Sequence, residues 1–586
     1  MNARQFGPQL TKAGTLFRLW APAAKRVDLL LEKPHALMRG EDGWFSAEIA
    51  GVGAGTRYKF RIDDEIDVPD PASGFQPEDV SGPSEIIDHA AYRWRTTDWR
   101  GRPWREAVVL EAHVGTFTPE GTCRAMIDRL DHLVATGITA LELMPLADFA
   151  GRRNWGYDGV LWYASDSAYG SPDDLKALID AAHARGLMVL LDVVYNHFGP
   201  EGNYLGRYAP GFFTDAQTPW GSAIDYRVAQ VRDFAIENAL YWLREYRFDG
   251  LRLDAVHAIA ELGEISMLHD LSLAAGKLAA ETGRHIHLVL ENDDNATSLL
   301  APCEATPHGQ YRAQWNDDYH HAWHVLLTGE SHAYYRDYQR APLADIARAL
   351  GSGFIYQGEA SLHRRGRPRG EPSGGLSPIA FVNFLQNHDQ IGNRALGDRL
   401  ASTVSARAIE AALAITLLAP MVPMLFMGEE WGSKAPFPFF CDFHGDLADA
   451  VRHGRRREFA SAYARYGDGI PDPLDQSTAR SAVLDWAARD GEPGRTRLAL
   501  VRELLAIRRR EIVPRLAGAR FGEAHAAANG LLTANWRMGD RTTLRLAANL
   551  SERGVSHASP HMQGTLLWGS ALSASMPAWS VRWHIG

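Results

Sequence analysis

A chain of 586 residues with 46% hydrophobic and 23% charged side chains, free of repeats and low-complexity tracts, reads as a folded protein of two or three domains, not a disordered or fibrous one. Its formal charge of −10 argues against nucleic acid or an anionic membrane as main partner, because both demand a clustered basic excess. Three scattered cysteines, Cys123, Cys303 and Cys441, offer neither the even count of a disulfide framework nor the spacing of a zinc site.

A reducing compartment suits those cysteines. The opening residues Met1 to Pro8 lack the apolar core of a signal peptide, so a cytoplasmic location is expected. Ala411 to Met427 approaches the length of a membrane span, but Pro420 and Pro423 divide it, and the pattern predicts a helix followed by a buried strand.

Residues 1–100 carry short strand-like runs, Phe17 to Pro22, Val27 to Leu31 and Arg57 to Arg61, separated by glycine-rich turns. They predict a small β-sandwich resembling a carbohydrate-binding module. Trp20 lies inside one of these runs, which favours a structural wedge beside a cleft over an exposed aromatic platform.

Residues 101–510 alternate apolar runs with amphipathic helical stretches, the pattern of repeated βα units. The runs are Val108 to Val114, Ala140 to Leu146, Met188 to Tyr195, Leu251 to Val256, His287 to Leu290, Arg312 to Trp315, Phe381 to Leu385 and Met424 to Met427. Eight runs predict a closed (β/α)8 barrel of the TIM type, with a short insert over about 198–226. Within it, Arg364, Arg365, Arg367 and Arg369 are broken up by Gly366, Pro368 and Gly370 and are expected to be a solvated loop. Residues 511–586 return to short alternating segments, including Thr542 to Leu546 and Thr565 to Trp568, and predict a small C-terminal β-domain.

In such a barrel the chemistry sits at the carboxyl ends of the strands, because side chains fill the interior. The third run carries Asp192 and leads into Asn196 and His197, the fourth holds Arg252 and Asp254, the fifth ends at Glu291, and the seventh leads into His388 and Asp389. Singly, a strand-end Asp often caps a helix and a lone His often satisfies a core hydrogen bond. Four carboxylates converging on one rim need a purpose, because like charges brought together destabilise a fold and shift one another's pKa values.

Retaining glycoside hydrolysis supplies that purpose: one carboxylate attacks the anomeric carbon and another, protonated, gives its proton to the leaving oxygen. Asp254, two residues beyond Arg252 and so on the same strand face, suits the nucleophile. Glu291, after the apolar Leu288 to Leu290, suits the acid. Trp155, Tyr157, Trp162, Tyr163, Trp220, Trp315 and Trp323 fall near predicted rim loops, where rings could stack on sugars or pack a core. Only Tyr157, in the turn-rich Trp155 to Gly159, is singled out for the site.

Asp192 to His197, Gly250 to His257, Glu291 and Asn387 to Asp389 resemble, in order and placement, the four short regions of the α-amylase family of glycoside hydrolases (family 13). The resemblance implies Asp254 as nucleophile, Glu291 as acid/base, and Asp389 as a third carboxylate that binds sugar hydroxyls. It implies substrate-binding roles for Tyr157, Asp192, His197, Arg252, His257 and His388, and no cofactor. Asn196 is a calcium ligand in some relatives, but the insert here is short and no metal is expected.

Pro69 to Ser73, Gln314 to His321 and Phe354 to Gly358 resemble a trehalose-releasing branch of that family, which implies maltooligosyl trehalose as substrate and cleavage of its α-1,4 bond next to the terminal trehalose unit. Two alternatives stay open: a glycogen branching or debranching enzyme or general α-glucan hydrolase, and, in another class, a non-catalytic glucan-binding protein.

Overall fold

The computed structural model describes residues 4–218, 221–260, 265–301, 310–460, 462, 467–556, 563–570 and 575–586. Its centre is a closed barrel of parallel strands: β1 (Val109–Ala112), β2 (Ala140–Leu143), β3 (Met188–Val193), β4 (Gly250–Leu253), β5 (His287–Leu290), β6 (Ala313–Trp315), β7 (Phe381–Asn383) and β8 (Val422–Phe426). β8 returns to pair with β1, Val109 opposite Met424. Every residue of these strands is buried, which is why they read as continuous apolar runs without alternation. Six of them end one to three residues earlier than the runs suggested, and β5 and β6 end where the runs do.

Several helices start where the sequence supplies a side-chain cap. Ser171 and Asp174 form a reciprocal capping box at the start of Pro172–His183, with proline at its first position. Gly250 opens β4 at a close approach: a Cβ there would lie 2.2 Å from the His287 carbonyl oxygen and 2.7 Å from the Leu190 side chain. Ala406–Leu418 is a helix followed by the buried strand β8, as the proline spacing predicted, and among the described residues no helix is long and apolar enough to cross a membrane.

Before the barrel, two antiparallel sheets face each other, one ordered around Gly14–Trp20 and Trp44–Ala50, the other around Val27–Leu30 and Arg57–Ile62. Phe17, Leu19, Phe45, Leu29, Tyr58 and Phe60 fill the space between them. This module is welded to the barrel side. Trp20 is buried against Phe212, with ring centroids 5.6 Å apart, and Phe6 meets Phe234 edge-on at 5.0 Å. The backbone N–H groups of Gln5 and Phe6 donate to Glu237 on the barrel helix Ala229–Glu245.

After the barrel, five antiparallel strands form a C-terminal sheet, in which Trp536 and Trp583 stack and donate their indole N–H groups to Leu350 O and Ala414 O of barrel helices.

Candidate active site

The rim at the carboxyl ends of β3, β4 and β5 is organised by one cation. Arg252, inside β4 and fully buried, donates from Nη1 to Asp192 Oδ2 at 2.6 Å and to Asp254 Oδ1 at 2.9 Å, and from Nη2 to Glu291 Oε2 at 2.7 Å. Its guanidinium lies over the ring of Trp315 at 4.1 Å, at the end of β6. A planar donor fork suits this task; a lysine could not reach all three acids in fixed directions.

The backbone sets the acids in place. Asp254 N–H donates to Val193 O and Glu291 N–H to Leu253 O, both at 3.0 Å, so each acid is pinned one residue past its strand. Ala255 takes a positive φ of 43°, an unusual conformation for a residue with a side chain, and its N–H donates to Glu291 Oε2 at 3.0 Å. Asn196 Nδ2 donates to Asp254 Oδ2 at 2.8 Å, so both oxygens of Asp254 are held.

The electrostatics differ between the acids. The Glu291 side chain keeps 23% of its surface open to the cleft, yet burial of its carboxyl raises the pKa, Arg252 opposes the rise, and the Asp254 anion adds to it. Burial pushes Asp192 up to about 7 against the pull of Arg252, with Asp254 adding to the rise, and its Oδ1 has no hydrogen-bond partner among the described residues. Asp389 is raised by burial, which His388 partly offsets.

On the opposite side, Tyr157 donates its hydroxyl to Asp192 Oδ2 at 2.5 Å, and its ring stacks on His388 at 4.8 Å. Gly156 makes the turn that delivers it: φ is 105°, and a Cβ would lie 2.2 Å from Pro145 O, so the position admits only glycine. His197 Nε2–H donates to the Tyr157 carbonyl at 2.9 Å. His388 N–H and Nδ1–H both donate to Glu111 on β1. Burial disfavours charge on His388, but the Glu111 anion, reinforced by Asp389, more than offsets it and raises the pKa.

Asp254, Glu291, Asp192, Arg252, Tyr157 and His388 thus form one bonded constellation. Asp389 is held by Asn393 Nδ2 at 2.8 Å and acts on the others through its charge, and His257 stands to one side, accepting from Asp293 N–H at 3.3 Å. Trp155, Trp162, Tyr163 and Trp323 are core residues; Trp162 stacks on Phe198 at 4.0 Å. Trp220 lies outside the described residues, as does Cys303.

One expectation fails. Arg365 and Arg367 are exposed, but Arg364 and Arg369 are no solvated loop: Arg364 pairs with Asp293 at 2.6 Å and Asp294 at 2.5 Å, while buried Arg369 pairs with Asp293 at 2.9 Å and Asp318 at 2.8 Å. Glycine and proline do break the segment, yet its partners lie on other βα loops and are invisible to local composition. Glu111 and Asp317 escaped the sequence reading as well. Glu111 was visible as an acid inside an apolar run; Asp317 opens the helix after β6, and its pKa is raised by burial and by Glu291, Asp293 and Asp389.

Among the described residues no group of three or more His, Cys, Asp and Glu is arranged to hold a metal ion. One guanidinium bridges Asp254 and Glu291 through separate nitrogens and so holds the two carboxylates on the same side of the rim.

Comparison with known proteins gives these elements names. The model of the alpha amylase catalytic domain matches residues 91–210, carbohydrate-binding module 48 (isoamylase N-terminal domain) matches 5–74, and a domain of unknown function matches 519–583. The malto-oligosyltrehalose trehalohydrolase of Deinococcus radiodurans is 41% identical over 86% of this chain and 82% of its own length. That of Rhizobium sp. (strain M-11) is 40% identical over 93% of this chain and 92% of its own. A crystal structure from Salmonella typhimurium, described as an alpha amylase, superposes with a TM-score of 0.94 at 45% identity, covering 100% of both chains.

Proposed function

Because the chain belongs to the malto-oligosyltrehalose trehalohydrolases of the α-amylase family, we propose that it hydrolyses the α-1,4-glucosidic bond next to the terminal trehalose unit of maltooligosyl trehalose, with retention of configuration. The single observation that supports the chemistry best is the Arg252 bridge between Asp254 and Glu291.

In this reading Asp254 attacks the anomeric carbon while Glu291 gives its proton to the glycosidic oxygen, releasing trehalose and leaving the maltooligosaccharide as an ester of Asp254. Glu291, now a carboxylate, takes a proton from water as the oxygen attacks the same carbon, which frees Asp254 and restores the acid. Asp389 binds sugar hydroxyls, Tyr157 stacks on the sugar ring, Asp192, His197, Arg252 and His388 line the cleavage subsite, and His257 faces the leaving group. The raised pKa of Glu291 keeps the acid form available, so turnover falls as pH rises through it; a pH profile of kcat/KM without an alkaline limb would contradict the role.

The same reading divides the chain at 1–100, 101–510 and 511–586, makes the first module a wedge, and sets the reaction in the cytoplasm, in keeping with buried, unpaired Cys123 and Cys441. The test is chromatography of products from maltotriosyl trehalose, maltopentaose and amylose, each incubated with the protein. Rapid trehalose release from the first and slow hydrolysis of the others is expected; equal or faster processing of maltopentaose or amylose would reduce the function to a general α-glucan hydrolase or branching enzyme.

A further inference from the structure

A cavity of about 200 Å3 lies at the opposite end of the barrel from the carboxylates, between the starts of β1 and β2 and the helix Glu492–Ile507. That is more than ten times the roughly 10–15 Å3 a single water requires, room for a small metabolite. Its lining is mostly basic among the charged groups. Arg102, Arg502, Arg508 and Arg509 line it with one acid, Glu106, and Glu106 is already paired with Arg102 at 2.8 Å, in a chain of net charge −10.

Arg508 is wholly buried and has no carboxylate partner among the described residues. Its Nη atoms donate to the carbonyls of Leu417, Ala419 and Met421, its Nε–H has no acceptor among the described residues, and burial lowers its pKa to about 9. Capping the carbonyls after Ala406–Leu418 accounts for the Nη atoms but leaves a buried positive charge without a counterion, a costly state. Arg502 and Arg509, exposed at the mouth, make no hydrogen bond or ion pair among the described residues. Arg508 also opens a π-helical turn, Arg508–Ile512, a distortion frequent at binding sites. Val134, Leu505 and Val513 form an apolar wall in the lining, beside Thr136 and Thr139.

We propose that this cavity binds a small organic phosphomonoester, the phosphate held by Arg502, Arg509 and the buried charge of Arg508, the carbon body against Val134, Leu505 and Val513. Arginines suit a phosphate through planar, charge-assisted hydrogen bonds, and the apolar wall gives an organic ester an advantage over the bare ion. Nothing in this site touches the catalytic rim, so ligand and glucan bind independently.

Calorimetric titration of the whole protein with glucose 6-phosphate, inorganic phosphate and glucose tests this. Glucose 6-phosphate is expected to bind tightest, more weakly as salt rises, and unchanged when maltopentaose saturates the catalytic cleft. The double variant Arg502→Gln/Arg509→Gln, altered only at exposed positions, is expected to weaken that binding by about tenfold or more while keeping unliganded melting temperature and hydrolysis. Absence of binding at millimolar glucose 6-phosphate, displacement by maltopentaose, or an unaffected double variant would overturn the site. Equal affinity for inorganic phosphate or for glucose would overturn the organic phosphomonoester as its ligand.

Discussion

Asp254 and Glu291 share a guanidinium but differ in what surrounds them, and that difference sets their chemistry. Asn196 and Arg252 grip both oxygens of Asp254, whereas one Glu291 oxygen is held by Arg252 and the Ala255 N–H. Asp254→Asn preserves the shape but cannot form the glycosyl ester, so turnover is expected to fall by at least about 10⁴-fold with substrate binding kept; near-normal turnover of the variant would remove Asp254 from the mechanism. Glu111 acts at one remove, through His388. Because the folded pKa of His388 is raised, the stability of this ion pair is complete below the ordinary value near 6.5 and is lost as pH rises through the raised value. Glu111→Gln is therefore expected to move the loss of His388 charge, and with it part of the alkaline limb of kcat/KM, to lower pH. A uniformly scaled profile of unchanged shape would mean that Glu111 only supports the fold.

At the scale of elements, most of the barrel was legible because each strand is an apolar run broken by a polar residue at the rim; Asp254 and Glu291 stand at those breaks, and Asp389 lies in the short helix His388–Gly392 after β7. Even the short, polar β6 was readable by position, though only Ala313–Trp315 pairs as strand. What local pattern could not reveal is pairing across loops. The Arg364 and Arg369 contacts join the loop before β7 to acids after β5 and β6, and Glu111 reaches His388 across 277 residues. Trp162, Tyr163 and Trp323 show the same limit, since an aromatic near a rim loop packs a core or a substrate with no difference in sequence. Gly250 offers a test of strand packing. Gly250→Ala places a methyl against the His287 carbonyl and Leu190, and is expected to cost about 1–3 kcal/mol in urea unfolding, with kcat reduced because β4 carries Arg252. An unchanged midpoint would show that β4 and β5 can separate freely.

Across the whole molecule the three parts share one continuous apolar core, from Phe6 to Trp583. The N-terminal module contributes Phe6 and Trp20 to the surface formed by the insert and the helix Ala229–Glu245. Trp20→Ala is expected to cost about 3–5 kcal/mol and to lower the single thermal transition of the chain; a separate early transition of the module alone would mean that it folds independently of the barrel.

The contact between Glu111 and His388 has a consequence for how the enzyme comes into being. These residues meet only when the stretch after β7 has come back to β1, closing a loop of 277 residues. Loop-closure entropy makes such distant encounters late events in folding. A half-closed barrel can carry nearly all its helices and the Arg252 cluster and still lack a finished subsite, so regained turnover marks the end of assembly, and backbone spectra alone run ahead of it.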